Sequence, residues 1–197
     1  TVTLELLADE DDAVRIEAIK AIRVRKLKSA RGKLKFMVES RNLDQKVEAL
    51  RTIVALNETG DEHKEFYEIY KKLIFEQNAD IQLAAVGGLQ HIIDPMVVPL
   101  LQSGILIMHD DHRIRAATVI ALGRSKDHNV VEHIARGFAD GARDVQAAAI
   151  EGLRLMGHKK GLTPLREFQK QSDDEDLINL AGDAIDEIEA APKGLLD

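Results

Sequence analysis

Asp111-His112-Arg113-Ile114-Arg115, followed by Ala121-Leu122-Gly123, is the clearest copy of a pattern that runs along the whole chain. Asp11-Asp12-Ala13-Val14-Arg15 with Ala18, Ala21 and Ile22 is a second copy, and four weaker ones centre near Val47, Ile81, Val145 and Leu177. The six copies are 31 to 34 residues apart. Each combines an acidic turn, a β-branched or aliphatic residue, and small residues ending in an Ala/Gly–aliphatic pair. A fixed period of this length holds two helices and marks a solenoid, in which each unit buries its apolar face on its neighbours. The expected fold is all-α: a right-handed α-solenoid of about six two-helix repeats. One array is expected over residues 1–190, with a truncated first repeat and a loose tail over 191–197.

Between the copies, apolar residues recur at helical spacing, as in Phe66, Ile69, Tyr70, Leu73 and Ile74, or Val130, Ile134 and Phe138. Each repeat therefore reads as a helix A followed by a helix B, with the motif opening B. The B helices are expected near 12–25, 43–57, 79–92, 111–124, 142–156 and 174–190. The A helices are expected near 28–40, 62–77, 95–108, 127–138 and 161–171. Asp44, Asp80, Asp111 and Asp173 or Asp174 are placed to cap B helices. Gly60, Gly123 and Gly157 stand where a left-handed residue closes a helix. Asp94-Pro95 reads as a cap and first-turn proline, and Pro99 is expected to bend the helix that follows. In the second repeat Arg51 falls where other copies carry a small residue.

Composition narrows the chemistry. The 197 residues carry 45% hydrophobic but only 4% aromatic side chains, and there is no Cys or Trp. Thiolate metal sites, disulfides and Cys nucleophiles are thereby excluded, and the composition fits a reducing, cytoplasmic setting. The longest apolar run, Ile105 to Met108, is far short of a membrane span. The net charge of −7 is unevenly spread. Lys20, Arg23, Arg25, Lys26, Lys28, Arg31, Lys33 and Lys35 form a stretch without an acid, whereas Asp173 to Glu189 holds eight acids and no base. Such polarity bears on partners and steering rather than on the fold.

The motif copies resemble the short HEAT-like repeats of phycobilisome lyases and many bacterial regulatory proteins, whose pattern is D-x-x-V-R-x-x-A-x-x-A-L-G. The resemblance covers about residues 2–190. It implies B helices lining a concave face where partners dock, with Glu17, Lys20, Gln90, His91, Arg113, Arg124, Glu151, Arg154 and Asp183 directed outward. It also implies structural pairing of the motif arginine with turn acids: Arg15 with Asp11 or Asp12, and Arg115 with Asp111. Gln82, Gln146 and Asn179 depart from the pattern at the arginine position. Val2, Leu4, Leu6 and Leu7 do not make the polar cap a solenoid end needs, so the sequence reads as starting inside a repeat of a longer protein.

No constellation favours catalysis. His109-Asp110-Asp111-His112 has ligand chemistry, yet four consecutive residues in a turn do not converge on one ion. The repeats also resemble those of the iron-binding deoxyhypusine hydroxylases, but the B helices lack that family's His-Glu dyads. The basic stretch offers phosphate contacts, but no aromatic interleaves it before Phe36. The expectation is a non-catalytic interaction module that binds another protein on its B-helix face, without cofactor or metal. The alternatives are a phycobilin lyase-type subunit, suggested by the repeat type alone, and nucleic-acid binding through Lys20–Lys35.

Overall fold

The computed structural model describes residues 2–58 and 60–191, and among these every regular element is helical. The contacts gather into two compact units, residues 1–88 and 89–197. The first contains α1 (Val2–Glu5), α2 (Asp12–Val24), α3 (Arg31–Met37), α4 (Leu43–Leu56), α5 (Gly60–Lys64), α6 (Tyr67–Leu73) and nearly all of α7 (Ala79–Leu89). The second contains α8 (Val98–Leu101), α9 (Gly104–Ile107), α10 (His112–Arg124), α11 (Val131–Ala135), α12 (Arg143–Met156), α13 (Leu162–Gln171) and α14 (Glu175–Ala190). The expected tail, apart from Ala191, lies outside the described residues.

Helices α2, α4, α7, α10, α12 and α14 are the six B helices, each within a few residues of its expected span. The A elements are less continuous. The helix expected over 62–77 breaks into α5 and α6 at Phe66, and the one over 95–108 breaks into α8 and α9. That second break falls not at Pro99, which sits harmlessly in the first turn of α8, but at Ser103, whose backbone is extended (φ −62°, ψ 139°).

The caps set the register of the repeats. Asp11, Asp111 and Asp174 accept backbone N–H bonds as N-caps, and so does Asn42 at the start of α4. Asn78 takes the N–H groups of Asp80 and Ile81 at 3.0 and 3.1 Å. Asn42 and Asn78, not Asp44 and Asp80, are thus the acceptors; the two aspartates lie in the first helical turn, where their charge still favours the positive end of the helix dipole.

Counting from these caps aligns Val14, Gln45, Ile81, Ile114, Val145 and Leu177. The second repeat therefore carries buried Gln45 at the aliphatic position, two residues before the expected centre at Val47. Seven residues after each cap stands a small buried side chain: Ala18, Ala49, Ala85, Thr118, Ala149 and Ala181. Arg51 consequently aligns with Lys20 and Glu151, and Ala49 fills the small-residue position. Four residues further the anchors Ile22, Ile53, Leu89, Leu122, Leu153 and Ile185 are buried. Burying each such side chain contributes about 1.5–3 kcal/mol.

Two glycines behave differently from expectation. Gly60 begins α5 rather than ending α4, whose C-cap is Asn57. Gly123 lies inside α10, where a Cβ would stand 2.1 Å from the Gly152 carbonyl oxygen of α12. It permits close helix contact and plays no part in chain reversal. Gly157 does close α12 in the left-handed region at φ 67°.

Candidate protein-binding face

The motif side chain at the start of each B helix is structural. Arg115 Nη1 donates to the carbonyls of His109 and Asp110 at 2.6 and 3.0 Å, and its Nε and Nη2 grip Asp140 at 2.7 and 2.8 Å. The expected partner Asp111 instead caps α10 and pairs with Arg113 at 2.7 Å. Arg15 reaches the Glu10 carbonyl at 3.0 Å, pairs with Asp12 as expected, and donates to Gln45 at 2.8 Å. Where glutamine replaces arginine the backbone contact survives: Gln82 Nε2 donates to Ile74 O at 3.0 Å and Gln146 Nε2 to Asp140 O at 2.8 Å. In the last repeat the cap places Ile178, not Asn179, at this position.

On the B face of the first unit, Lys20 pairs with Glu17 at 2.7 Å, which raises the Lys20 pKa above the usual range. Glu48, with a side chain only 13% exposed, receives Arg23 at 2.9 Å and Arg51 at 3.1 Å. Beside them lies a shallow depression of about 280 Å³, whose lining includes Ile16, Lys20, Asp44, Glu48, Arg51 and Asp80.

The B face of the second unit has a different character. Half-buried Ala116, Ala117, Ile120 and Ala147 form a small-residue strip, and exposed Leu180 lies on α14. Gln90 Nε2 donates to Ala117 O at 3.1 Å. Glu151 holds Arg154 by two bonds of 2.7 and 2.8 Å, and Arg154 also spans to Glu187 at 2.8 and 3.0 Å. These carboxylates hold the Arg154 pKa well above its usual value. Burial pushes the His91 imidazole down, and the Arg124 charge adds to that. Arg124 itself forms no ion pair among the described residues, and its Nε is enclosed without an acceptor. Arg113 and Asp183 are exposed, Arg113 at the turn end of α10 and Asp183 on α14. The apolar strip escapes a reading of the sequence because alanines and one isoleucine on a B helix look the same whether they pack or face outward.

Part of the basic stretch is matched by acids from the next repeat. Lys28 meets Glu58 at 2.9 Å, and Arg31 meets Glu62 and Glu65 at 3.1 Å each while its guanidinium lies 5.6 Å from the Phe66 ring centre. Lys33 donates to the Leu4 carbonyl and Arg25 to the Thr3 hydroxyl, at 3.1 and 3.4 Å. Lys26 adopts a left-handed turn conformation, and Lys35 is exposed. The histidines of the His109–His112 turn are held by the turn itself and by the next repeat. His109 Nδ1 accepts the Asp111 N–H at 2.9 Å, and His112 Nδ1 meets Asp144 at 2.5 Å. No group of three His, Cys, Asp or Glu side chains able to hold a metal occurs among the described residues.

Comparison with known proteins agrees with this architecture. The HEAT repeats family matches residues 68–154. An engineered protein shares the fold with a TM-score of 0.67 at 16% identity, covering 96% of each chain. A designed armadillo repeat protein in complex with the peptide (KR)4 gives 0.64 at 12% identity, covering 95% of this chain and 98% of that one. The complex of CpcE and CpcF of phycocyanin lyase from Nostoc sp. gives 0.51 at 14% identity, over 94% and 93% of the chains. No curated protein sequence matches this chain. The chain has an all-α helical-repeat fold like that of these structures, and residues 68–154 match HEAT repeats. No helix among the described residues is long and apolar enough to cross a membrane.

Proposed function

We propose that this chain is a non-catalytic module that binds another protein on its B-helix faces, with Arg124 as the anchor on the second unit. The observation that carries the reading is the state of Arg124. Other cations on these faces, Lys20, Arg23, Arg51, Arg113 and Arg154, each hold a carboxylate of the chain. Arg124 forms no ion pair among the described residues and stands one turn beyond Ile120 of the half-buried apolar strip. A guanidinium without a carboxylate of its own, beside apolar surface, gains a charge-assisted hydrogen bond from a partner's carboxylate, which favours binding there. The designed armadillo protein that holds a peptide lends the reading a precedent on a similar fold.

The test is a selection of peptide binders from a random library, followed by calorimetric titration of the winners against wild type and Arg124→Ala. Binders directed to this face should lose affinity at least about tenfold, equivalent to about 1.4 kcal/mol, with the melting curve unchanged. Equal affinity of all selected peptides for both proteins would remove Arg124 from the reading. Arg154 is a poorer probe, because its replacement also cuts the tie between α12 and α14.

A further inference from the structure

A cleft in the second unit is lined mainly by A-helix residues. It encloses about 530 Å³, within the range of small-ligand and side-chain pockets. Its apolar lining comes from Pro164 and from Phe138 and Phe168, whose rings stack with centres 4.5 Å apart and planes at 19°. Its polar lining includes Glu167, Gln171 and Asp173, all exposed. Neither Glu167 nor Asp173 forms an ion pair among the described residues. The arginines of this region are committed elsewhere: Arg143 to Asp174 and Asp176, Arg166 to Glu189. The cavity thus joins an aromatic, apolar floor to two carboxylates without an ion pair among the described residues.

We infer that this cleft receives an arginine side chain of a protein partner, its stem and guanidinium plane against the Phe138 and Phe168 rings and its charge facing Glu167 and Asp173. A guanidinium is planar, stacks on aromatic rings and is weakly hydrated, so it suits a site that is half apolar and half anionic better than an ammonium does. The aliphatic stem matches the apolar floor. This site is separate from the B face, and either can fail without the other.

The probe is N-acetyl-arginine methylamide, titrated into the full chain and followed by NMR, with the citrulline analogue as the uncharged isostere. Saturable shifts are expected at the Phe138 and Phe168 rings and at the Gln171 amide, with none from citrulline. Glu167→Gln combined with Asp173→Asn should weaken binding about tenfold or more; both positions are exposed, so the fold should persist. Asp183→Asn with Asp186→Asn removes the same charge on α14 and should leave the affinity unchanged. Shifts that spread over α14 without saturating would overturn the assignment. So would binding that survives the Glu167/Asp173 pair of changes, or equal binding of citrulline.

Discussion

Arg115 and Asp140, 25 residues apart, are joined by two parallel bonds of 2.7 and 2.8 Å, with both side chains less than one-fifth exposed. The same guanidinium holds the His109 carbonyl, so one side chain fastens its own turn and the next repeat together. Arg115→Ala removes both attachments and should cost about 1–3 kcal/mol. Arg115→Gln should fall between, because Gln82 and Gln146 make the turn contact without the carboxylate. Urea unfolding of the two variants checks the order; equal losses would show that the turn contact adds nothing, and no loss in Arg115→Gln that the carboxylate grip adds nothing.

Acid should act on the second unit through its aspartates. The Arg113 side chain pulls the Asp111 pKa from 3.8 to about 2, and Arg115 lowers that of Asp140. A depressed carboxylate pKa stabilises the fold above the unfolded value, and that stability is lost as pH falls through the folded value. The decline should therefore run from about pH 4 down to about pH 2. In Asp111→Asn, which keeps a capping acceptor, the acid slope of the melting temperature should be shallower than in wild type.

Gly123 and Gly87 give opposite predictions for the same substitution. Alanine at 123 drives a methyl into the backbone of Gly152 and should cost about 1–3 kcal/mol or more, since two helices must part. Alanine at 87 meets nothing within 4 Å inside α7 and should stabilise by about 0.4–1 kcal/mol through the unfolded chain. Thermal melts of the two variants moving in the same direction would contradict the packing described.

In the first unit, fully buried His63 lies between the Asn57 carbonyl and the Tyr70 hydroxyl, at 3.2 Å each. The nitrogen facing the carbonyl must donate, so in the neutral ring the other accepts from Tyr70. Tyr70→Phe keeps the ring packing and deletes that bond, an expected loss of about 1–3 kcal/mol. A melting temperature unchanged by the substitution would mean the hydroxyl contributes nothing.

The basic stretch, with Lys20, Arg23, Lys28 and Arg31 held by acids of the chain, should bind a labelled single-stranded oligonucleotide weakly. Anisotropy that stays near baseline at physiological salt is the expected result. Strong binding that collapses with added salt would instead mean the inter-repeat ion pairs open readily.

The B helices are legible in the sequence because each repeats one buried pattern, and pattern survives degeneracy. The second repeat misleads because a buried glutamine, Gln45, occupies the aliphatic position, which moves the apparent centre to Val47. Asn42 and Asn78 are hidden as caps because an aspartate follows each by two residues. The Arg115–Asp140 grip and the Phe138–Phe168 stack are not legible at all. Their members are distant in sequence and come together only when neighbouring repeats dock. The unmatched state of Arg124 is likewise a property of its surroundings, not of its place in the motif.

The contact between Gly123 and Gly152 also limits how freely the repeats can be exchanged. At the position of Gly123, the other repeats carry Arg23, Val54, Gln90, Arg154 and Asp186. A copy of any of these repeats, spliced into the fourth place, would bring a side chain to the point where two backbones touch. Although built from one recurring unit, the chain has an order of parts, and α10 and α12 would have to be transplanted together.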